Sequence, residues 1–226
     1  MLYVLSLGGS IISLKEGINI NFLKKFKQLI EARISQGDNF IIVIGGGSIA
    51  REYIRGAIRI KKDITDREKD YLGIYSTLLN ARLVKSIFGD LAQEDLLSNP
   101  NIKTKLKKPL AFSGGYLPGN SSDFVAVSLA KTYQADIVIN LSNIDYVYDK
   151  DPNKFPGAKK IEKINWQDFL EIIGDKWSPG MNAPFDPIAS KFCQKHNKKV
   201  IVLNGQKIKN LENYFLNNRF QGTEIY

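Results

Sequence analysis

The sequence predicts an α/β fold: a three-layer α/β/α sandwich around a mainly parallel sheet. Short apolar runs alternate along the chain with longer segments whose apolar residues recur at helical spacing, and this alternation is typical of a parallel sheet covered by helices. The run 40–44 is apolar throughout, as expected for a strand buried on both faces. A chain of 226 residues without a linker-like stretch fits a single domain, which we expect to span 1–226.

The apolar runs predict the strands, and the segments between them predict the helices. The strands are expected at 3–7, 40–44, 109–112, 136–140 and 200–203, where short, mostly apolar runs end at glycine or polar residues. The helices are expected at 21–34, 49 to about 61, about 67 to 88, 124–131 and 188–195. The segment 146–161 breaks this alternation, because two short strand-like runs flank a polar, turn-rich loop. It predicts a β-hairpin on the rim of the fold.

Composition narrows the class of partner. The net charge of +9 favours anionic partners, but the lysines form small scattered groups, such as 103–108 and 195–199, without an interleaved aromatic stripe. We therefore expect a small-molecule anion and no nucleic acid. No apolar run reaches the length of a membrane span, and residues 3–7 form a predicted strand that is unlike a signal peptide. We expect a cytoplasmic protein with no membrane partner.

The single cysteine, Cys193, excludes an internal disulfide framework and fits a reducing compartment. With His196 as the single histidine, a zinc site built from cysteine and histidine is disfavoured. Because Cys193 lies within the predicted helix 188–195, we expect it to be a core residue.

Three glycine loops, each after a predicted strand, carry the strongest functional signal. They are 8–10, 45–48 and the start of 114–123. Glycine lets backbone N–H groups approach an anion closely, and a helix N-terminus adds further N–H groups and a positive dipole end. Such loops therefore predict a phosphate site. The competing interpretation of 114–123 is an ordinary helix start, with Ser122 as the N-cap and Asp123 in the first turn to suit the dipole.

Two familiar phosphate motifs do not fit these loops. The Walker A pattern G-x-x-x-x-G-K-[ST] is absent. Residues 45–50 formally fit the dinucleotide pattern G-x-G-x-x-A, but no apolar strand precedes Asp63 or Asp66, where that fold places an acidic residue. Arg51 is expected in the first turn of the helix that the second loop opens, so its guanidinium can reach an anion there. The alternative for Arg51 is a solvated surface side chain.

A series of motifs runs through essentially the whole chain, at 7–10, 44–51, 70–74 with Asn80, 114–123, 143–152, 186–191 and 222–225. In this order and spacing they resemble the amino acid kinase superfamily. Residues 47–51, Asp70 and the loop around 118–119 resemble its archaeal-type uridylate (UMP) kinases. The resemblance implies an acceptor-binding and oligomerisation half up to about 135, an ATP-binding half from about 136, and a homo-oligomer, with a hexamer suggested.

The resemblance also implies transfer of the ATP γ-phosphoryl group to UMP, with Mg²⁺ as the cofactor. Asp123 and Arg51 would be the catalytic residues, and Asp123 would organise Mg²⁺ or the loop amides. The residues that would bind ATP are Gly9, Ser10, Gly47, Arg51, Ser142, Asn143, Tyr148 and Asp151. The residues that would bind UMP are Gly46, Asp70, Tyr116, Leu117, Pro118, Gly119, Asn120, Ser121 and Ser122.

The chain departs from the family pattern at three places. Many members carry a lysine just before the first glycine loop, where this chain has Ser6, and another after a Gly-Met pair, where 180–184 contains none. We expect Arg51 with Mg²⁺ to neutralise the transferring group in their place, with Lys15 as a distant alternative. Tyr116 stands where a smaller polar residue is common, and we expect it to alter the acceptor pocket.

Two alternatives stay open. The first is a kinase of the same superfamily with another acceptor. Isopentenyl phosphate kinases place a histidine near the second glycine loop, where this chain has none, and the absent lysines and Arg51 disfavour carbamate, acetylglutamate or aspartate. The second is a non-catalytic relative that binds nucleotide, which the absent lysines favour.

Overall fold

The computed structural model describes residues 1–135, 137–174 and 183–226. Its strands are β1 (Leu2–Leu7), β2 (Ser13–Leu14), β3 (Gly17–Ile18), β4 (Asn39–Ile44), β5 (Leu110–Ser113), β6 (Ile137–Ser142), β7 (Val147–Tyr148), β8 (Lys160–Ile161), β9 (Lys163–Ile164), β10 (Lys199–Asn204) and β11 (Thr223–Ile225). Its helices are α1 (Gly9–Ile12), α2 (Ile20–Ser35), α3 (Gly47–Ile60), α4 (Asp66–Ser86), α5 (Ser122–Thr132), α6 (Trp166–Ile173), α7 (Pro187–Lys195) and α8 (Ile208–Phe215).

A seven-stranded sheet forms the middle layer, in the order β5-β4-β1-β6-β10-β11-β9. The four neighbouring pairs from β5 to β10 are all parallel. β11 is antiparallel to β10, and β9 is parallel to β11. Parallel neighbours must be joined by crossover connections, which the helices provide. The predicted fold class is therefore confirmed.

Strand β4 shows how the three layers are held together. Its side chains alternate between two apolar clusters, with Phe40, Ile42 and Ile44 in one and Ile41 and Val43 in the other. The first cluster packs the sheet against α2, α4 and α8, and the second packs it against α5, α6 and α7. All five side chains are completely buried, because successive residues of a strand point to opposite faces and both faces are covered.

The observed elements shift some predicted boundaries. The helix expected to reach 88 ends at Ser86, and a short 3-10 helix, Gly89–Leu91, follows. Phe88 is nevertheless buried against Phe26 and Phe112, so its apolar side chain belongs to the core although it lies beyond the helix. The strand expected from 136 is described from Ile137 onward, since 136 lies outside the described residues.

Two smaller predictions are confirmed. β7 and β8 form an antiparallel pair with Val147 opposite Ile161, which is the hairpin expected in 146–161. Cys193 is buried in the second apolar cluster, and burial raises the pKa of its thiol. Within the described ranges, no helix has the length and apolar character needed to cross a membrane.

Candidate active site

The three glycine loops lie side by side at one edge of the sheet. They follow β1, β4 and β5, which are consecutive in the order β5-β4-β1. The carboxyl ends of parallel strands meet at the same edge, where α/β proteins place their ligands. The loops predicted separately from the sequence therefore form one continuous surface.

The first two loops touch through their backbones. A Cβ atom on Gly9 would lie 2.2 Å from the amide nitrogen of Gly47 and 2.5 Å from the carbonyl carbon of Gly45. Gly47 has φ +66°, and a Cβ there would lie 2.4 Å from the carbonyl oxygen of Gly9. No side chain fits at either position, so glycine is required by contact at Gly9 and by contact and conformation at Gly47.

Helix α4 anchors the second loop through Asn80. The Asn80 Nδ2 donates to the carbonyl oxygens of Gly45 at 2.9 Å and Gly46 at 3.1 Å. Asn80 is almost completely buried, and its Oδ1 has no hydrogen-bond partner among the described residues. Because a buried amide is costly unless it is bonded, these two bonds fix the loop against α4.

The same helix anchors the third loop. The Thr77 Oγ1 accepts a hydrogen bond from the Gly115 N–H at 2.6 Å and donates to the Ile74 carbonyl at 2.6 Å. One turn before Ile74, the Asp70 Oδ2 accepts the N–H of Gly119 at 2.7 Å. Asp70 therefore orients the loop that contains Gly119, while its predicted binding of the acceptor stays a prediction.

A cleft of about 840 Å³ opens between α3, α4 and the start of α5. Arg51 and Arg55 lie in its wall on α3, and the Arg55 Nε donates to the Arg51 carbonyl at 3.1 Å. Neither guanidinium forms an ion pair with an acidic side chain in the described part of the chain. The other lining residues among those predicted to bind phosphate or UMP are Gly46, Gly47, Asp70, Asn120, Ser121 and Ser122.

Two local expectations need correction here. Ser122 is the first residue of α5, and the N-cap is Ser121, whose Oγ accepts the Phe124 N–H at 3.1 Å. Arg51 is the fifth residue of α3, because the helix begins at Gly47, two residues earlier than expected. Arg51 therefore lies just beyond the first turn, on the wall of the cleft.

Asp123 lies in the first turn of α5, and uncharged hydrogen-bond donors hold its carboxylate. Its Oδ1 accepts hydrogen bonds from the Ser6 hydroxyl at 2.8 Å and from the Asn140 Nδ2 at 3.2 Å, and its Oδ2 accepts the Asp186 N–H at 3.4 Å. An edge of the residue faces solvent, but protein atoms surround the carboxyl group. Burial raises the pKa of this carboxyl to about 6, with a further contribution from the nearby Asp186 carboxylate.

Asp186 places a second carboxylate beside Asp123. It is the N-cap of α7, and its Oδ1 accepts the Ala189 N–H at 2.7 Å. Its Oδ2 is buried and has no hydrogen-bond partner among the described residues, and burial raises the pKa of this carboxyl as well. Neither carboxylate forms an ion pair within the described ranges. Two neighbouring carboxylates without a cation beside them attract positive charge.

A second pocket, of about 320 Å³, lies beyond the end of β6. It contains four of the residues predicted to bind ATP, Ser142, Asn143, Tyr148 and Asp151. Ile172 and Ile173 at the end of α6 add an apolar wall. An aromatic ring and aliphatic side chains beside polar groups are typical of a site for a planar base.

The remaining predicted residues lie outside these two linings. Tyr116 packs against the second apolar cluster, and Leu117 is exposed. Gly9 is buried against Gly45 and Gly47 of the second loop. Tyr116, Leu117, Pro118, Gly119, Gly9 and Ser10 do not appear in the walls of the two described pockets, and their binding roles stay predictions. Residues 180–182, where a family lysine is absent, lie outside the described residues.

Sequence reasoning gave no role to several residues that build the site, namely Thr77, Asn80, Arg55, Asn140 and Asp186. Two signals were present. Ser6 and Asn140 are polar residues inside otherwise apolar strands, and buried polar residues need a partner. Asp186 precedes a proline at a helix start, a frequent N-cap pattern.

Comparisons with known proteins place the chain in a family. The model of the amino acid kinase family matches residues 1–204. The uridylate kinase of Methanococcus aeolicus is 33% identical over 229 residues, covering 100% of this chain and 99% of that protein. The uridylate kinase of Thermococcus kodakarensis is 33% identical over 208 residues, covering 90% of each protein.

Solved structures agree with this placement. The crystal structure of uridylate kinase from Archaeoglobus fulgidus matches with a TM-score of 0.83 at 31% identity, with both chains covered completely, at 100%. Aspartate kinase from Synechocystis has a TM-score of 0.74 at 17% identity and is covered over 39% of its length, so it shares the fold alone. Because the family model and these relatives match nearly the whole chain, the protein belongs to the amino acid kinase family.

Proposed function

We propose that this protein transfers the γ-phosphoryl group of ATP to UMP and produces UDP. The observation that carries the proposal is that Asp123, which lines neither pocket, adjoins residues on the way to both. Ser121 and Ser122, directly before it, line the cleft beside α3, while Asn140, which bonds its carboxylate, lies two residues before Ser142 in the wall of the second pocket. Two substrates bound in these pockets would meet at Asp123.

The cleft beside α3 suits a nucleoside monophosphate. Arg51 and Arg55 supply permanent positive charge, and the N-terminus of α5 presents N–H groups to the same space. The Asp70 Oδ2 accepts the Gly119 N–H. The other carboxylate oxygen, Oδ1, is left to accept hydrogen bonds from ribose hydroxyls. The phosphate oxygen of UMP is already ionised near neutral pH, so the acceptor needs no general base.

The second pocket suits the donor nucleotide. We propose that Tyr148, Ile172 and Ile173 contact the adenine, and that Ser142, Asn143 and Asp151 offer polar contacts. Phosphoryl transfer between two anions depends on alignment, charge neutralisation and exclusion of water. The rigid glycine loops supply the alignment, and the arginines of α3 supply part of the neutralisation.

A divalent cation fits the carboxylates between the pockets. Mg²⁺ prefers carboxylate oxygens, and the buried Asp186 Oδ2 lacks a partner among the described residues. We propose that Asp123 and Asp186 hold Mg²⁺ with ATP, where the ion would neutralise charge on the transferring group. Asp123 keeps its own orientation through Ser6 and Asn140.

We also propose a homo-oligomer, with a hexamer as the arrangement suggested by the resemblance. Only Ala50 is buried among the α3 residues, and apolar side chains on α3 and α4 remain exposed, namely Tyr53, Ile60, Tyr75 and Leu79. Such a patch is typical of an interface. A cytoplasmic role in pyrimidine nucleotide biosynthesis, with acceptor binding up to about 135 and ATP binding from about 136, completes the proposal.

A coupled assay tests the reaction. The purified protein is supplied with ATP, Mg²⁺ and one acceptor at a time, including UMP, dUMP, CMP, AMP, isopentenyl phosphate and carbamate. We expect UMP to give the highest kcat/KM and Asp123→Asn to abolish most of the turnover. Activity that is absent with UMP, or equal with all monophosphates, would contradict the proposal. ATP binding by calorimetry without turnover on any acceptor would instead support a non-catalytic nucleotide-binding protein.

A further inference from the structure

Two neutral side chains on neighbouring central strands converge on Asp123. Ser6 of β1 and Asn140 of β6 are directly paired in the parallel register. Both are almost completely buried, with 2% and 5% of their surfaces exposed. Each follows a run of three apolar or aromatic residues, 3–5 before Ser6 and 137–139 before Asn140, and a polar group in such a place costs free energy unless it is bonded.

Both donors bind the same carboxylate oxygen. The Ser6 hydroxyl lies 2.8 Å and the Asn140 Nδ2 lies 3.2 Å from the Asp123 Oδ1. The Oδ2 has one longer contact, 3.4 Å, with the Asp186 N–H. Since two donors restrain Oδ1, the plane of the carboxylate is fixed and Oδ2 is the oxygen left available to a ligand.

We propose that Ser6 and Asn140 are positioning residues that orient the Asp123 carboxylate for phosphoryl transfer. Ser6 occupies the position at which many members of the family carry a lysine. A lysine there would bring a positive charge to this carboxylate, whereas a hydroxyl and an amide orient it and leave its negative charge in place. The catalytic importance of this orientation rests on the proposed function, but the hydrogen bonds do not.

A double-mutant cycle in activity tests the coupling. Ser6→Ala removes one hydroxyl and should lower kcat about ten- to a hundredfold, as expected for a lost hydrogen bond to a charged group, with both KM values nearly unchanged. In the Asp123→Asn background, Ser6→Ala should have no further effect, because Ser6 acts through Asp123. Asn140→Ala should follow the same pattern with a smaller loss. An equal loss in both backgrounds, or no loss in either, would overturn the proposal.

Ser128→Ala is the matched control. Ser128 is also a serine with 2% of its surface exposed, it lies on the same helix as Asp123, and its Oγ has no hydrogen-bond partner among the described residues. Truncating it should leave kcat within about twofold of the wild-type value. A loss of kcat equal to that of Ser6→Ala would show that any buried serine has this effect, and would overturn the proposal.

A second double-mutant cycle measures stability and does not depend on enzymatic activity. The urea midpoints of wild type, Ser6→Ala, Asp123→Ala and the double variant should be non-additive if the hydroxyl bonds the carboxylate, because alanine removes the acceptor oxygen that asparagine would keep. Additive midpoints would overturn the positioning contact. If wild type does not phosphorylate UMP while the midpoints are non-additive, the proposed function fails and the orientation of Asp123 by Ser6 stands.

Discussion

The two proposed substrate sites, the acceptor cleft beside α3 and the donor pocket beyond β6, are built in different ways. The cleft rests on glycine loops whose backbones touch, and a single helix, α4, holds two of them through Asn80, Thr77 and Asp70. The donor pocket is walled by side chains of an exposed hairpin and of α6. Fixed backbone N–H groups therefore require close packing of main chains, whereas a wall for a planar base can be made from side chains that tolerate substitution.

Gly9→Ala should produce the largest effect. The added Cβ would lie 2.2 Å from the backbone nitrogen of Gly47, and the main chain cannot move aside as a flexible side chain would. We expect the free energy of unfolding to fall by about 3 kcal/mol or more. Urea denaturation followed by circular dichroism measures the change.

Gly157→Ala is the control for this comparison. Gly157 lies in the hairpin of the donor side, and a Cβ there would meet no atom of the described residues within 4 Å. The free energy of unfolding should change by less than about 0.5 kcal/mol. Equal effects at the two glycines would show that the loops of the cleft are no more tightly built than the hairpin.

Asp123→Asn should change how stability depends on pH. Burial raises the pKa of the Asp123 carboxyl to about 6, above its unfolded value of about 4. The folded state binds this proton more tightly, so the free energy of unfolding falls as pH rises from about 4 to 6 and is then constant, with a total loss of roughly 3 kcal/mol. The variant lacks this loss, so its stability relative to wild type should increase over that range.

Urea titrations at pH values between 4 and 8 measure this difference. Asp145→Asn is the control, because the Lys207 ion pair lowers the pKa of the Asp145 carboxyl and gives a small effect of the opposite sign. Parallel stability curves for wild type and Asp123→Asn would contradict the prediction. In activity, kcat/KM for ATP, which reports groups of the enzyme before ATP binds, should rise through pH 6 as the carboxylate ionises.

Thr77→Val should loosen the third loop. The substitution keeps the shape of the side chain but removes the acceptor of the Gly115 N–H, at an expected cost of about 1–3 kcal/mol in the free energy of unfolding. The KM for UMP should rise while the KM for ATP stays constant, as steady-state kinetics can measure. Thr77→Ser retains the hydroxyl and should restore the KM; a KM for UMP that is unchanged by valine would separate Thr77 from acceptor binding.

Tyr148→Ala should have the smallest effect on stability. Tyr148 lies in the hairpin and is partly exposed, so the urea midpoint should barely change. Loss of its ring from the donor pocket should raise the KM for ATP roughly fivefold, corresponding to about 1 kcal/mol of aromatic contact. A rise in the KM for UMP instead would place Tyr148 on the acceptor side and remove the distinction between the pockets.

The fold was predictable because its signals are local. The run 40–44 is apolar at every position, and the structure buries it on both faces of the sheet. The paired strands of 146–161 were visible as runs on either side of a turn-rich loop. The N-cap of α5 was harder to predict, because Ser121 and Ser122 are adjacent serines. Ser121 is the cap because its extended backbone brings its side-chain Oγ within hydrogen-bond distance of the Phe124 N–H.

The contacts within the site were less accessible to sequence reasoning. Asn80 reaches back 35 residues to Gly45, and Ser6 reaches 117 residues forward to Asp123. Such partners follow from the register of the sheet and the placement of α4, which no local pattern specifies. Glycine spacing predicts a phosphate site at these loops, which stays a prediction, whereas the groups that hold the loops are visible only in three dimensions.

The strand order has a consequence for a chain that is still being synthesised. β1 is the first strand described, yet it lies in the middle of the sheet, between β4 and β6. Val4 pairs early with Ile41 on one side, but its other partner is Val138. A nascent chain that has not emerged from the ribosome beyond β6 therefore carries an apolar strand with one open edge, which is the feature that chaperones shield and that aggregation exploits.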